Sequence, residues 1–260
     1  MVDFINVRRG RNVLSGAMHV VLNLVLAVAS TALTLISGSW ILGAALVLLS
    51  KWRTVAVRPR YWWLNIKSSL VDLIVGMGLV LLVYFAGTEL NVGHVILTVV
   101  YAVWLVAIKP KSSELMTEVQ SLMAVFFGMA AATVVAANLD PVVLVVASFV
   151  IGYGATRHLL IQSEDHDFSI ITFAVGLLMA QISFVLYHWL IVYSLDAIGL
   201  VVSQLAIIQT LLVFVFFKGY KSALKHDGAL RASEVLLPTF FSVAVIVLMV
   251  LFFSRPIFDV

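Results

Sequence analysis

Long apolar runs alternate with short polar connections along the whole chain. A helix rises about 1.5 Å per residue, so about 20 apolar residues cross the roughly 30 Å hydrocarbon core of a bilayer. The pattern predicts an all-α, polytopic transmembrane helix bundle that forms a single integral membrane domain over residues 1–260. The predicted segments lie near residues 14–34, 38–51, 66–87, 92–108, 115–137, 141–160, 168–193, 197–217 and 234–254.

The first two segments are separated less clearly than the others. Only one weak turn, Ser37-Gly38-Ser39, interrupts residues 14–50, and the second segment is shorter than a full span. Two interpretations are open: two tightly connected helices that both cross the membrane, or a re-entrant hairpin. Both return the chain to the side on which it started, so the rest of the topology does not depend on this choice.

Composition agrees with a membrane protein and excludes several other classes. The mean hydropathy is +1.13, and only 11% of the residues are charged, which leaves too little polar surface for a water-soluble domain. The sequence has no cysteine, so disulfides and thiolate metal sites are excluded. It also lacks Walker A, Gly-rich dinucleotide and Gly-x-Ser-x-Gly motifs. We therefore expect no cofactor, no metal and no ATP-driven transport by this chain alone.

The positive charges lie almost entirely on one side of the predicted membrane. If the N-terminus is cytoplasmic, every lysine and arginine except Arg255 falls in a cytoplasmic junction, whereas Glu89, Asp140 and Asp196 lie in the opposite connections. This asymmetry follows the positive-inside rule and predicts a cytoplasmic N-terminus and an external C-terminus. The compact loops favour the inner membrane of a prokaryote. The net charge is only +3 and the cations do not form one face, so we expect no nucleic-acid partner.

One junction, KWRTVAVRPRYWWLN at residues 51–65, concentrates cations and aromatic rings. Pro59 prevents a continuous helix, which predicts a bent segment along the membrane surface. Two interpretations are open: a topological anchor with its rings at the headgroup level, or a binding surface for an anionic lipid. The residues that form this interface in either case are Lys51, Arg53, Arg58, Arg60, Trp62 and Trp63.

Ionisable residues inside the apolar segments are the main candidates for function, because such groups are costly in hydrocarbon unless they are paired or hydrated. Asp72 lies about 7 Å deeper in its helix than Lys67 and is the best single candidate. His19 and Asn23 are four residues apart and share a helix face. With Glu118 they fall in the cytoplasmic half, which predicts one polar cavity open to the cytoplasm.

Each member of this cluster also has a structural alternative. Lys67 or a nearby arginine can reach Asp72 as a counter-charge, and Glu118 can stabilise a helix N-terminus. His19 and Asn23 can form an interhelical hydrogen bond.

A second, weaker cluster lies in the predicted cytoplasmic loop RHLLIQSEDHDFS at residues 157–169. Imidazole and carboxylate groups can ligate metals or transfer protons, but the spacing here matches no metal motif. The alternative is a solvated loop that caps the following helix. The candidate residues are His158, Glu164, Asp165 and His166.

Three classes of function fit these patterns. The first is a carrier or channel for a small solute or ion, in which Asp72 handles protons or cations. The second is an enzyme or translocase that handles anionic lipids, and the third is a non-catalytic scaffold, homo-oligomer or complex subunit with small-residue packing faces. The many helices, the short loops and the buried carboxylate favour transport. Under that hypothesis, Asp72→Asn is expected to stop transport while the protein still folds.

Overall fold

The computed structural model describes residues 2–137, 139–161, 168–195 and 198–252, except for the side chains of residues 2–15, Arg53 and Val55. Regular structure in these ranges is helical apart from one β-hairpin. The helices are α1 (Val2–Ser37), α2 (Trp40–Leu49), α3 (Trp52–Val55), α4 (Trp62–Phe85), α5 (Val92–Val103), α6 (Glu114–Ala136), α7 (Pro141–Leu160), α8 (Phe168–Tyr187), α9 (Gln204–Lys225) and α10 (Ala232–Phe252).

Seven helices in the described part of the chain are long and apolar enough to cross a bilayer. The protein is therefore a multi-pass, all-α membrane helix bundle, as the hydropathy pattern predicts. The apolar helices Trp40–Ser50 and Val92–Ile108 are shorter and correspond to the second and fourth predicted segments. Trp40–Leu49 covers about 15 Å, half of the hydrocarbon core, so the choice between a span and a re-entrant hairpin remains a prediction.

The boundaries predicted around residue 195 are wrong. Helix α8 ends at Tyr187, and the chain then forms an antiparallel hairpin of β1 (Val192–Leu195) and β2 (Leu200–Ser203) before α9 begins. Hydropathy alone does not distinguish a short apolar strand from a helical segment, because both are continuous apolar runs. Gly199 has φ +66° in the hairpin turn, a conformation that glycine adopts without steric cost.

Helix α6 occupies the centre of the bundle, where it packs against α4, α7 and α9. Helix α8 lies mainly against α7, and α10 lies mainly against α9 at the periphery. The approach of α4 to α6 is close at Gly78, where an added Cβ would lie 2.8 Å from the carbonyl oxygen of Phe127. Val75, Val125 and Met129 fill the core beside this contact.

The two ends of the bundle differ in chemistry. The β-hairpin lies at one end, next to the N-terminus of α5, where Ile198 and Gly199 approach Gly93. At the other end, ion pairs and hydrogen bonds join the termini of α2, α5, α7 and α9 to α4 and α6. We call this second end the basic end, because Lys51, Lys109 and Lys218 lie there.

Candidate functional site

Asp72 lies in α4 and forms ion pairs with two lysines at the basic end. Its Oδ2 atom accepts a hydrogen bond from the Nζ atom of Lys51, the lysine that follows α2. The same Oδ2 atom lies 2.9 Å from the Nζ atom of Lys109. The side chains of Lys51, Asp72 and Lys109 are 17%, 19% and 34% exposed. We call these three residues the Asp72 triad. Lys67, considered above as the counter-charge of Asp72, is not its partner. The Lys67 ammonium lies over the ring of Trp63, 4.7 Å from the ring centroid.

The Asp72 triad is recessed from the end of α4. Asp72 follows Trp62, the first residue of α4, by about 15 Å along the helix axis. Helix α2 and the π-helical segment Trp104–Ile108 both end beside Asp72 instead of continuing to the level of Trp62. The triad therefore lies beside the ends of these two short helices, and α3, which follows Lys51 in the chain, packs against α4.

Burial changes the pKa of the Lys51 amine. Desolvation lowers the pKa of the Lys51 amine from 10.5 to about 8, although the neighbouring Asp72 carboxylate acts in the opposite direction. The Lys109 ammonium adds to the lowering through like-charge repulsion. Two ammonium groups against one carboxylate give the triad a net charge of +1 when Lys51 is protonated.

Gln120 of α6 fixes the position of Lys109. Its side-chain amide donates hydrogen bonds to the carbonyl oxygens of Ile108 and Lys111, each at 2.8 Å, at the end of the π segment. Its Oε1 atom accepts a 2.7 Å hydrogen bond from Nε2 of His158 in α7. One buried glutamine thus satisfies backbone carbonyls that a helix terminus leaves free and joins three elements beside the triad.

A second set of charges lies between α6 and α9. The Nζ atom of Lys218 lies 2.6 Å from a carboxylate oxygen of Glu118, and that of Lys221 lies 2.7 Å from Glu114. The pairing is regular because Glu114 and Glu118 share one face of α6, while Lys218 and Lys221 share one face of the antiparallel α9. The two pairs differ in environment: the Glu118 side chain is 13% exposed and that of Glu114 is 72% exposed.

Glu114, Glu118 and Lys221 border a cavity of about 590 Å³ between α6, α7 and α9. Its lining combines the two carboxylates with Leu159, Phe217 and Lys221. The exposed Glu114 lies at the mouth and the buried Glu118 lies deeper. This arrangement suits a small amphipathic solute, because apolar walls can hold its body while an exchangeable ion pair recognises its charge.

The structure does not bring the four residues of the predicted polar cavity together. Asp72 belongs to the triad, and Glu118 belongs to the α6–α9 cavity. His19 is exposed on α1, and Asn23 donates a 3.3 Å hydrogen bond to the carbonyl of Leu105. The expectation of one shared cavity is therefore wrong, because a common depth does not place side chains on facing sides of their helices.

The segment at residues 51–65 is bent as predicted. Helix α3 is followed by a 3₁₀ turn that starts at Pro59, and α4 begins at Trp62. Arg58, Arg60, Trp62 and Trp63 are exposed, so they lie on a surface that can contact lipid. Lys51 differs from them, since it is buried against Asp72, and the Arg53 side chain lies outside the described residues. Binding of an anionic headgroup to these residues stays a prediction.

The predicted loop cluster is only partly described. His158 lies in the last turn of α7 and contacts Gln120, so it belongs with the neighbours of the triad. Glu164, Asp165 and His166 lie outside the described residues. Among the residues that the structure does describe, no group of three histidines or carboxylates is placed to hold a metal ion.

Sequence reasoning found both buried carboxylates but missed their partners. In the sequence, Lys109 and Lys218 count only as topology signals. A buried carboxylate near lysines at the same predicted depth is the signal that was available for both pairs. No family model matches the chain, and no curated protein or solved structure is significantly similar to it. The function therefore has to be inferred from the site itself.

Proposed function

We propose that the protein is a membrane carrier for a small charged or zwitterionic solute, which binds in the cavity between α6, α7 and α9. The observation that carries this proposal is that Glu118, the largely buried partner of Lys218, lines a cavity of about 590 Å³ together with the Glu114–Lys221 ion pair. A scaffold has no need for a cavity lined by paired charges, whereas a carrier needs a site that holds charge in a poorly solvated place.

Binding in this cavity is proposed to work by exchange of ion-pair partners. A cationic group of the solute replaces the Lys218 ammonium at the Glu118 carboxylate, and an anionic group of a zwitterion pairs with the released lysine. Because Glu118 is nearly buried, solvent screens this exchange less than it screens the exposed Glu114–Lys221 pair. Selectivity for charge is therefore assigned to Glu118, and Glu114 serves only at the entrance.

We also propose that the basic end faces the cytoplasm of a prokaryotic inner membrane, because of the positive-inside asymmetry. The absence of cysteine makes this orientation simple to measure. Single cysteines at Ser112 and Glu89, which are exposed and lie towards opposite ends of the bundle, are labelled in intact cells with a membrane-impermeant thiol reagent. Labelling of the Glu89 variant alone is expected, and labelling of the Ser112 variant alone would reverse the orientation.

Transport is tested by measuring solute uptake into proteoliposomes, with a pH-sensitive dye for protons and radioactive tracers for the other solutes. The solutes are protons, alkali cations, amino acids and polyamines, applied one at a time. A response of the wild type that Glu118→Gln abolishes and Glu114→Gln retains supports the proposal. A wild type that behaves like protein-free liposomes for every solute, or two variants that respond alike, contradicts it.

A charge exchange separates recognition from structural support. The double variant Glu118→Lys with Lys218→Glu restores an ion pair of the same composition between α6 and α9. A pair that only stabilises the bundle is expected to regain both stability and transport in this variant. A pair that recognises the solute is expected to regain stability alone, because the sign of the charge deep in the cavity is reversed.

A further inference from the structure

The Asp72 triad has one more positive charge than its carboxylate neutralises. Both lysines contact the same Oδ2 atom, so they share one negative charge in a place where all three side chains are mostly buried. An uncompensated charge in such a place is unfavourable unless it binds an anion or loses its proton. Desolvation is the main cause of the lowered pKa of Lys51, and repulsion by the Lys109 ammonium adds to it.

We propose that Lys51 and Lys109 bind a second anion of the phosphate class, which completes the charge balance beside Asp72. The anion is either the phosphate of an anionic lipid headgroup or free inorganic phosphate, since both combine phosphate oxygens with a net negative charge. The phosphatidylcholine headgroup, which is zwitterionic and neutral overall, lacks this net charge. None of the three residues lines the cavity between α6, α7 and α9, so this site is separate from the one assigned to the transported solute.

The neighbours of the triad agree with an anion at this point. Apart from Asp72, the Tyr101 hydroxyl from α5 and the His158 imidazole from α7 lie near enough to interact electrostatically with its carboxylate. Neither carries a negative charge near neutral pH, and the Nε2 atom of His158 is occupied by its hydrogen bond to Gln120. The described residues around the triad therefore supply no second carboxylate.

The position of the triad also suits a headgroup. Its three side chains are 17%, 19% and 34% exposed, so an anion can reach the two ammonium groups. Tryptophan is enriched at the headgroup level of membranes, and the exposed Trp62 and Trp63 lie about 15 Å from Asp72 along α4, so a lipid phosphate has to move that distance inward from the adjacent leaflet. A free phosphate would reach the same lysines through water.

The test measures how fast acetic anhydride modifies the amine of Lys51 as a function of pH, with peptide mass spectrometry as the readout. The full-length protein is reconstituted in phosphatidylcholine vesicles, in the same vesicles with added inorganic phosphate, and in vesicles that also contain phosphatidylglycerol. Lys111 is exposed and serves as the internal reference, because it reports the effect of the vesicle surface potential on a nearby lysine.

An anion beside Lys51 favours its protonated form, so the pH of half-maximal labelling is expected to rise relative to Lys111 by roughly 1 unit or more. A rise with phosphatidylglycerol alone identifies the lipid headgroup as the ligand. A rise with inorganic phosphate in phosphatidylcholine vesicles identifies the free anion. No relative rise under either condition overturns the proposal.

A matched pair of variants assigns the effect to the triad. Lys109→Gln removes the surplus charge and leaves Lys51 paired with Asp72, so the anion-dependent rise is expected to disappear. Lys111→Gln removes a neighbouring exposed charge and is expected to retain the rise, with Lys67 as its reference. Equal behaviour of the two variants would show that the effect comes from the general surface charge and would also overturn the proposal.

Discussion

Replacing Asp72 with asparagine is expected to destabilise the bundle strongly. The substitution keeps the size of the side chain but leaves the ammonium groups of Lys51 and Lys109 facing each other without a counter-charge. Removing one partner of a fully buried ion pair costs about 3–5 kcal/mol. The three side chains retain 17–34% exposure, so we expect solvent screening to reduce the loss to about 2–3 kcal/mol.

The assay is equilibrium unfolding in mixed micelles, followed by tryptophan fluorescence. The matched control is Glu89→Gln, which also neutralises an acid but lies at an exposed position. The control is expected to change the free energy of unfolding by less than about 0.5 kcal/mol. A second variant, Lys51→Met with Asp72→Asn, removes one of the two opposing lysines and is expected to recover at least half of the loss.

An Asp72→Asn variant as stable as the Glu89→Gln control would refute this reasoning, because the ion pairs would then contribute nothing measurable. A double variant less stable than Asp72→Asn would refute the electrostatic explanation in particular. The expected loss also changes how the earlier functional test is interpreted. Loss of transport in Asp72→Asn would not separate a carrier from a scaffold, because the variant is expected to be unstable. Substitutions at Glu118 make that distinction better.

Three further predictions concern a close helix contact, a hydrogen-bonded glutamine and the pKa of Lys51. Gly78→Ala is expected to lower the free energy of unfolding by about 1–3 kcal/mol, because the added Cβ would lie 2.8 Å from the carbonyl oxygen of Phe127. Gly219→Ala is the matched control. Its added Cβ would lie 4.0 Å from the nearest neighbouring atom, so we expect the free energy of unfolding to rise by up to about 1 kcal/mol. Gln120→Leu is expected to cost about 2 kcal/mol or more in the same measurement, because it frees two backbone carbonyls and the imidazole of a histidine. In phosphatidylcholine vesicles without added inorganic phosphate, Lys51 is expected to show half-maximal amine labelling near pH 8. Since the unfolded chain keeps this proton up to about pH 10.5, Lys51 makes the free energy of unfolding rise between those two pH values.

Most of the helices could be predicted because the membrane makes one requirement dominate all others. Apolar length determines where a helix can cross, and the long runs from residue 62 to residue 160 match the structure closely. The region around residues 188–203 could not be predicted in this way. There the apolar residues pair as strands in a tertiary contact with α5 and α6, and hydropathy contains no information about such contacts.

The sequence predicts which carboxylates of the candidate site are costly to bury, but it does not predict which side chains they contact. Asp72 and Glu118 stand out because a carboxylate in an apolar helix needs compensation. Which lysine compensates each one depends on how the helices are arranged around α6, and a single sequence does not give that arrangement. His19 shows the same limit, because a predicted depth does not give the direction of a side chain, and His19 lies on an exposed face of α1.

The lysines of the basic end have two physical roles that constrain each other. As free charges they orient the chain across the membrane, and as partners they neutralise carboxylates inside the bundle. At Glu118 one lysine meets one carboxylate, so the proposed solute would have to displace Lys218. At Asp72 two lysines meet one carboxylate, so the proposed anion would displace no protein group. The first balance suits a site that exchanges its occupant, and the second suits a site that retains it.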